Sequence, residues 1–189
     1  MKQLLARYLE LFPTENGRLR QLQEFLCATS DTKQLFHRMN FSGHITASGF
    51  VLSPDGKKLA LVKHKYLGRH LQPGGHVEDF DADTLAAAVR EVHEETGIQS
   101  AHYLTIDSDP LVPFDIDTHA IPANPKKDEA GHWHHDFRYL FRAKTEIDPA
   151  KSGGEAEWRW HPVEDAIKEE TFALVISKLR GMSDRDSIV

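Results

Sequence analysis

The chain has 189 residues, 40% hydrophobic and 28% charged, with a formal net charge of -6. That length suits one domain of about 150 residues plus an extension, with the composition of an ordinary globular protein. The acidic balance argues against a protein that grips nucleic-acid polymers through a basic face, yet it allows a phosphate-bearing small molecule held through divalent cations.

The first segment, residues 1–41, reads as a helical extension. Leu4, Leu5, Tyr8, Leu9 and Phe12 recur at helical spacing until Pro13 stops the run. Leu19, Leu22, Phe25 and Leu26 repeat the pattern, and Asp31 is placed to cap a third short helix carrying Leu35 and Phe36. These apolar helices also offer a face for a homodimer. The charges of Arg7 and Glu10 interrupt the opening apolar run before a signal-peptide core forms, and no stretch is long enough to span a membrane. Cys27 is the single cysteine, so an internal disulfide is excluded. Both observations fit the cytoplasm.

Residues 42–182 read as the main domain, with 183–189 as a tail. Ile45 to Leu52 predicts a strand, Ser53-Pro54-Asp55-Gly56 a turn and Lys58 to Lys63 the returning strand of a hairpin. A glycine loop follows at Pro73-Gly74-Gly75. Thr84 to Thr96 predicts the best helix of the chain, with Leu85, Ala88, Val89 and Val92 as its apolar stripe and Gly97 as its cap. Two long strands are expected at Leu111–Ile121 and Trp133–Ala143, then a short strand at Glu157–His161 and a helix near Thr171–Leu179. Strands interleaved with helices predict an α/β sandwich around a mixed sheet.

Glu91, Glu94 and Glu95 fall on one side of the central helix, at i+3 and i+4. Three carboxylates this close repel one another, and a divalent cation between them relieves the repulsion. Oxygen donors of this kind suit Mg²⁺ or Mn²⁺, which also bind phosphate oxygens. Arg90 lies four residues before Glu94 and can orient a glutamate through a forked hydrogen bond. An acidic solvated face is the plainer reading of such a run; the glycine loop just upstream, which permits close backbone approach, favours the metal site.

Taken together, Gly75 and Arg90-Glu91-Val92-His93-Glu94-Glu95-Thr96-Gly97-Ile98 resemble the Nudix box, G-x5-E-x7-R-E-U-x-E-E-x-G-U, over Gly75–Ile98. The resemblance implies a Nudix-like α/β/α sandwich and a hydrolase that cuts a diphosphate (P–O–P) bond in a small molecule. It implies Glu91, Glu94 and Glu95 as metal ligands, the Gly74 carbonyl as a further contact, and Glu91, Glu94 and Arg90 as catalytic residues. Gly75 to Arg90 is one residue longer than the box. Counted from Gly75 the first glutamate falls on Asp81; counted back from Arg90 it falls on Ala82. Asp81 or Asp83 either substitutes there or caps the helix. Glu157 is a further candidate acid, beside a late strand that resembles the family's.

Alternation in the two long strands separates a core-like face, Trp133, His135, Phe137, Tyr139 and Phe141, from a polar one, His132, His134, Asp136 and Arg138. In the preceding strand Val112, Phe114 and Ile116 oppose Asp115, Asp117 and His119. The polar faces fit the wet side of two edge strands, a wall of the substrate cleft to which His76 would add, or a metal site of His119, His132 and His134. Arg138 is the residue there able to pair with a phosphate. Two other functions share the resemblance: an isopentenyl-diphosphate-isomerase-like enzyme, which needs a core cysteine where this chain has only Cys27, and a non-catalytic binding module, which would have lost box glutamates that this chain keeps.

Overall fold

The computed structural model describes residues 1–64, 68–166 and 170–183. Its elements in chain order are α1 (Lys2–Leu11), α2 (Arg20–Ala28), β1 (His44–Leu52), β2 (Lys58–Lys63), β3 (His70–Leu71), β4 (Gly74–His76), α3 (Thr84–Thr96), β5 (Ala101–Tyr103), β6 (Asp115–Ile121), β7 (His132–Ala143), β8 (Trp158–Pro162), α4 (Val163–Ala166) and α5 (Glu170–Ser183). Of the tail expected at 183–189, Ser183 ends α5 and the remainder lies outside the described residues.

Local chemistry accounts for the helix ends. Pro13 opens a short 3-10 turn directly after α1. The Asp31 side chain accepts from the Lys33 amide at 3.0 Å and starts another at Thr32–Leu35. Asp83 caps α3 by accepting from the Ala86 amide at 2.8 Å, and Gly97 ends it in the left-handed region at φ 70°.

The eight strands form one mixed sheet. Its main path runs β3-β2-β1-β7-β5, with β4 added to β1, β6 to β7 and β8 to β2. Strands β1 and β7 pair in parallel from His44 opposite His134 to Leu52 opposite Arg142. Beside them β4 runs antiparallel to β1, with His76 opposite Thr46 and Gly75 opposite Ala47.

Both faces of this sheet are covered, as expected of an α/β/α sandwich. On one face Ile45, Ala47 and Val51 of β1 and Phe137, Tyr139 and Phe141 of β7 share a core with α3 and with Leu5, Tyr8, Leu22 and Phe25 of the N-terminal helices. On the other, Phe50, Leu52 and Leu140 pack with Phe172, Val175 and Ile176 of α5. Helix α3 lies against β1 with almost no gap. Ala87 and Ala88 are fully buried, and a Cβ on Gly49 would meet Val92 at 2.5 Å and Phe141 at 2.8 Å. Small residues on both partners permit that approach.

Four expectations are corrected. Val89 is not part of the apolar stripe: it is 50% exposed, and the buried face of α3 is Thr84, Ala87, Ala88, Val92 and Thr96. Strand β6 begins at Asp115 rather than Leu111, because the chain from Asp109 to Val112 is a turn closed by a backbone hydrogen bond. Phe114, still outside the strand, therefore packs with the α5 side while Val112 and Ile116 pack with the α3 side. Strand β7 is not an edge strand with a wet side. It pairs with β1, β5 and β6, and both its faces are buried from His135 to Phe141.

Candidate active site

The last turns of α3 carry Arg90, Glu91, Glu94 and Glu95, and Arg90 ties this end of the helix together. Its Nη1 donates to Glu91 Oε1 at 2.8 Å and Glu94 Oε2 at 2.9 Å. Its Nη2 donates to the His76 carbonyl at 2.8 Å and to Asp81 Oδ2 at 2.9 Å, and its Nε to Asp81 Oδ1 at 3.1 Å. A planar fork with donors on every edge is needed to hold that many acceptors at once; a lysine could not. The hydrogen bond that Arg90 donates to Asp81, ahead of those to Glu91 and Glu94, raises the Arg90 pKa against the effect of burial.

The glycine loop is strand β4, pressed between α3 and β1. The Gly74 amide donates to Glu95 Oε2 at 3.0 Å. A Cβ on Gly75 would stand 2.4 Å from Glu91 Oε1, and one on Gly74 would stand 2.3 Å from the Ser48 Cβ. At Gly74 the strand behind leaves room for glycine alone, and a side chain at Gly75 would displace the Glu91 carboxylate. Gly74 thus meets the cluster through its amide.

Burial pushes the Glu91 carboxyl above its ordinary range, while Arg90 pulls it back. Glu94 is the open member, with 45% of its side chain exposed. Glu91 and Glu94 meet at one guanidinium nitrogen and Glu95 turns to the Gly74 amide, so the carboxylates share one helix end rather than one point. An all-carboxylate set of donors fits a hard divalent ion such as Mg²⁺ or Mn²⁺.

The two loop aspartates have separate places. Asp81 is clamped by Arg90 and by the Glu78 amide at 2.8 Å, while Asp83 caps the helix. Asp81 thus stands behind the arginine, as a support for its orientation. Glu157 is exposed and pairs with Lys63 at 2.9 Å, an ion pair that lowers its pKa. The two residues before it meet the helix of the cluster, the amides of Glu155 and Ala156 donating to the carbonyls of Glu94 and Glu95 at 2.8 and 3.1 Å. Cys27 is exposed on α2.

Asp136 and Arg138 are also corrected as substrate contacts. Asp136 accepts from Ser48 Oγ at 2.7 Å and Thr46 Oγ1 at 3.2 Å. Arg138, 5% exposed, is surrounded by Asp117 at 2.8 Å, Asp136 at 3.2 Å and Asp115 at 3.3 Å. Each of its three nitrogens already meets a carboxylate inside the fold. The network continues through Asp115 to Lys178 of α5 at 2.6 Å and Arg18 at 2.9 Å, and Lys178 reaches Glu15 at 2.7 Å. It joins the N-terminal segment, β6, β7 and α5.

His132 and His134 come together, their Nε2 atoms 3.2 Å apart. His76 joins them, and so does His44, which the sequence did not single out because its place depends on the β1–β7 register. His119 pairs with Asp117 at 2.8 Å, and its ring meets that of His134 edge to face at 5.7 Å.

The family comparisons agree with this geometry. Residues 43–179 match the NUDIX domain. The probable DHNTP pyrophosphohydrolase of Lactococcus lactis subsp. cremoris is 33% identical over 144 residues, covering 76% of this chain and 80% of that one. The RNA pyrophosphohydrolase of Rhizobium meliloti is 29% identical over 119 residues, 58% of this chain and 70% of that protein. A NUDIX-family hydrolase from Clostridium perfringens shares the fold, with a TM-score of 0.53 at 22% identity, covering 74% of this chain and 97% of its own. The chain belongs to the NUDIX domain family. It is a hydrolase acting on phosphorus-containing anhydrides. Among the described residues no helix is long and apolar enough to cross a membrane.

Proposed function

We propose that the chain hydrolyses a P–O–P bond in a small nucleotide-like triphosphate or diphosphate, with Mg²⁺ or Mn²⁺ held by Glu91, Glu94 and Glu95. The observation that carries this reading is the Arg90 fork, which holds Glu91, Glu94, Asp81 and the His76 carbonyl together. Carboxylates prepositioned in this way lose little freedom when they take up an ion, and catalysis at phosphorus depends mainly on such positioning. A bound ion would neutralise phosphate oxygens and lower the pKa of an attacking water. The protein's part is to fix the carboxylates: Arg90 orients Glu91 and Glu94, the Gly74 amide orients Glu95, and Asp81 orients Arg90.

The relative from Lactococcus lactis, whose name gives a DHNTP pyrophosphohydrolase, supports a triphosphate on a planar heterocycle as substrate. The acidic net charge favours a small molecule over a polynucleotide. The exposed Cys27 does not support an isomerase built on a core cysteine, and three retained glutamates do not support a non-catalytic module.

The test is a panel of dihydroneopterin triphosphate, nucleoside triphosphates, ADP-ribose, diadenosine tetraphosphate, isopentenyl diphosphate and 5′-triphosphorylated RNA, each with Mg²⁺ or Mn²⁺. We expect turnover of at least one small anhydride, with cleavage between phosphorus atoms. Turnover of RNA alone, or isomerisation of isopentenyl diphosphate, would contradict the proposal.

A further inference from the structure

The imidazoles of His44, His76 and His134 converge on the face of the sheet opposite α3. The strand registers put them there. Parallel pairing sets His44 directly against His134, and antiparallel pairing sets His76 against Thr46, the next residue of β1 on the same face as His44. One ring nitrogen from each of the three lies within 4.8 Å of the others. Ring centroids are 4.5 Å apart for His44 and His134 and 5.1 Å for His44 and His76.

His44 is 1% exposed, yet neither of its ring nitrogens has a hydrogen-bond partner. The Asn40 carbonyl lies close enough to favour its protonated form slightly, without making a well-formed hydrogen bond. Buried polar groups are almost always satisfied, so an imidazole left this way calls for an explanation.

We propose that His44, His76 and His134 form a second metal site, for an ion of the zinc class such as Zn²⁺ or Co²⁺, separate from the carboxylates of α3. Nitrogen donors select such ions over Mg²⁺, whereas the glutamates select the reverse. Two nitrogens on one tetrahedral zinc stand about 3.4 Å apart, given Zn–N bonds of about 2.1 Å. The three ring nitrogens, already within 4.8 Å of one another, need only a small closing movement, and His76 and His134 are partly exposed. His132 adds a fourth imidazole within reach: its Nδ1 is tied to the Ala130 carbonyl at 2.8 Å and its Nε2 is 3.2 Å from that of His134. A carbonyl holding the far nitrogen of a ring is the usual outer support of a metal-binding histidine.

The site is independent of the proposed hydrolysis, though the two are connected by β4. Arg90 holds the His76 carbonyl, so an ion on the His76 ring would fix the strand whose glycines press on Glu91 and Glu95.

The test is Co²⁺ titration of the metal-free full chain in excess Mg²⁺, followed by visible absorption, with Zn²⁺ as competitor. One equivalent of Co²⁺ should give a ligand-field band that Zn²⁺ abolishes and that persists in Glu94→Gln. His134→Asn and, separately, His76→Asn should weaken binding by more than the about ten- to hundredfold that outer-support changes cost, with circular dichroism unchanged. No band, a band lost in Glu94→Gln, or a band unaltered in a folded His134→Asn or His76→Asn protein would overturn the site.

Discussion

Glu95→Gln is expected to fold normally and to turn over its diphosphate substrate about a hundred- to a thousandfold more slowly, a loss of about 3–4 kcal/mol at about 1.4 kcal/mol per decade. The substitution is nearly isosteric, and a glutamine oxygen can still accept from the Gly74 amide that now meets Glu95 at 3.0 Å. The strand–helix contact therefore survives. What disappears is the negative charge, and with it one of the oxygens that would neutralise a divalent ion. The check is kcat from phosphate or pyrophosphate release, with a thermal melt of the same sample. Glu95→Gln with wild-type kcat would remove Glu95 from the metal site.

Arg138→Met should lose about 3–5 kcal/mol of stability, the usual result of removing one partner from a buried charge network. Burial works against the Arg138 charge, but Asp117, Asp115 and Asp136 outweigh it and hold the guanidinium protonated. Without it, Asp115, Asp117 and Asp136 lose the one cation they share among the described residues, and of the three Lys178 and Arg18 reach only Asp115. Such a loss is a large part of the about 5–15 kcal/mol that holds a domain folded. The effect carries a pH signature. Burial raises the Asp117 pKa, but the His119 hydrogen bond and then Arg138 bring it down from 3.8 to about 2. A carboxyl depressed in the folded state contributes stability above its unfolded value and loses it as pH falls through its folded one. The gap between wild type and Arg138→Met should therefore be full above pH 4 and narrow towards pH 2. Urea unfolding across that range measures it. A loss below about 1 kcal/mol, the level of a surface pair, accompanied by a raised KM, would return Arg138 to the substrate.

What the sequence revealed depended on how local the physics was. The Thr84–Thr96 helix, its Asp83 and Gly97 caps and the spacing of Glu91, Glu94 and Glu95 are properties of neighbours along the chain, and they are legible there. The alternation of β7 was legible too, and His135, Phe137, Tyr139 and Phe141 all point into the α3-side core or against it. The meaning of the opposite face was not. Whether Asp136 and Arg138 meet water depends on what covers them, and their partners, Ser48, Asp115 and Asp117, come from other strands.

The same limit hid the Glu15–Arg18–Asp115–Lys178 network, whose members are drawn from the N-terminal segment, a middle strand and the C-terminal helix. It also hid the histidine cluster. His44 and His76 carry no periodic signal, and only the two registers on β1 bring them to His134. Strands as short as β3, β4 and β5 leave too few residues for an alternation to show. Val89 illustrates a smaller error. It belongs to the helical repeat, but α3 is turned so that Ala87, Ala88 and Val92 face the sheet and Val89 faces outward.

The most direct measurement of metal-assisted water attack at phosphorus is hydrolysis of the best panel substrate in heavy-oxygen water, followed by phosphorus NMR and mass spectrometry. Samples with Mg²⁺ and with a chelator should be run side by side. The carboxylate cluster predicts a broken P–O–P bond, the label on one phosphoryl product, and no turnover once the metal is chelated. Undiminished turnover in chelator, or products whose phosphoryl oxygens carry no label, would contradict it.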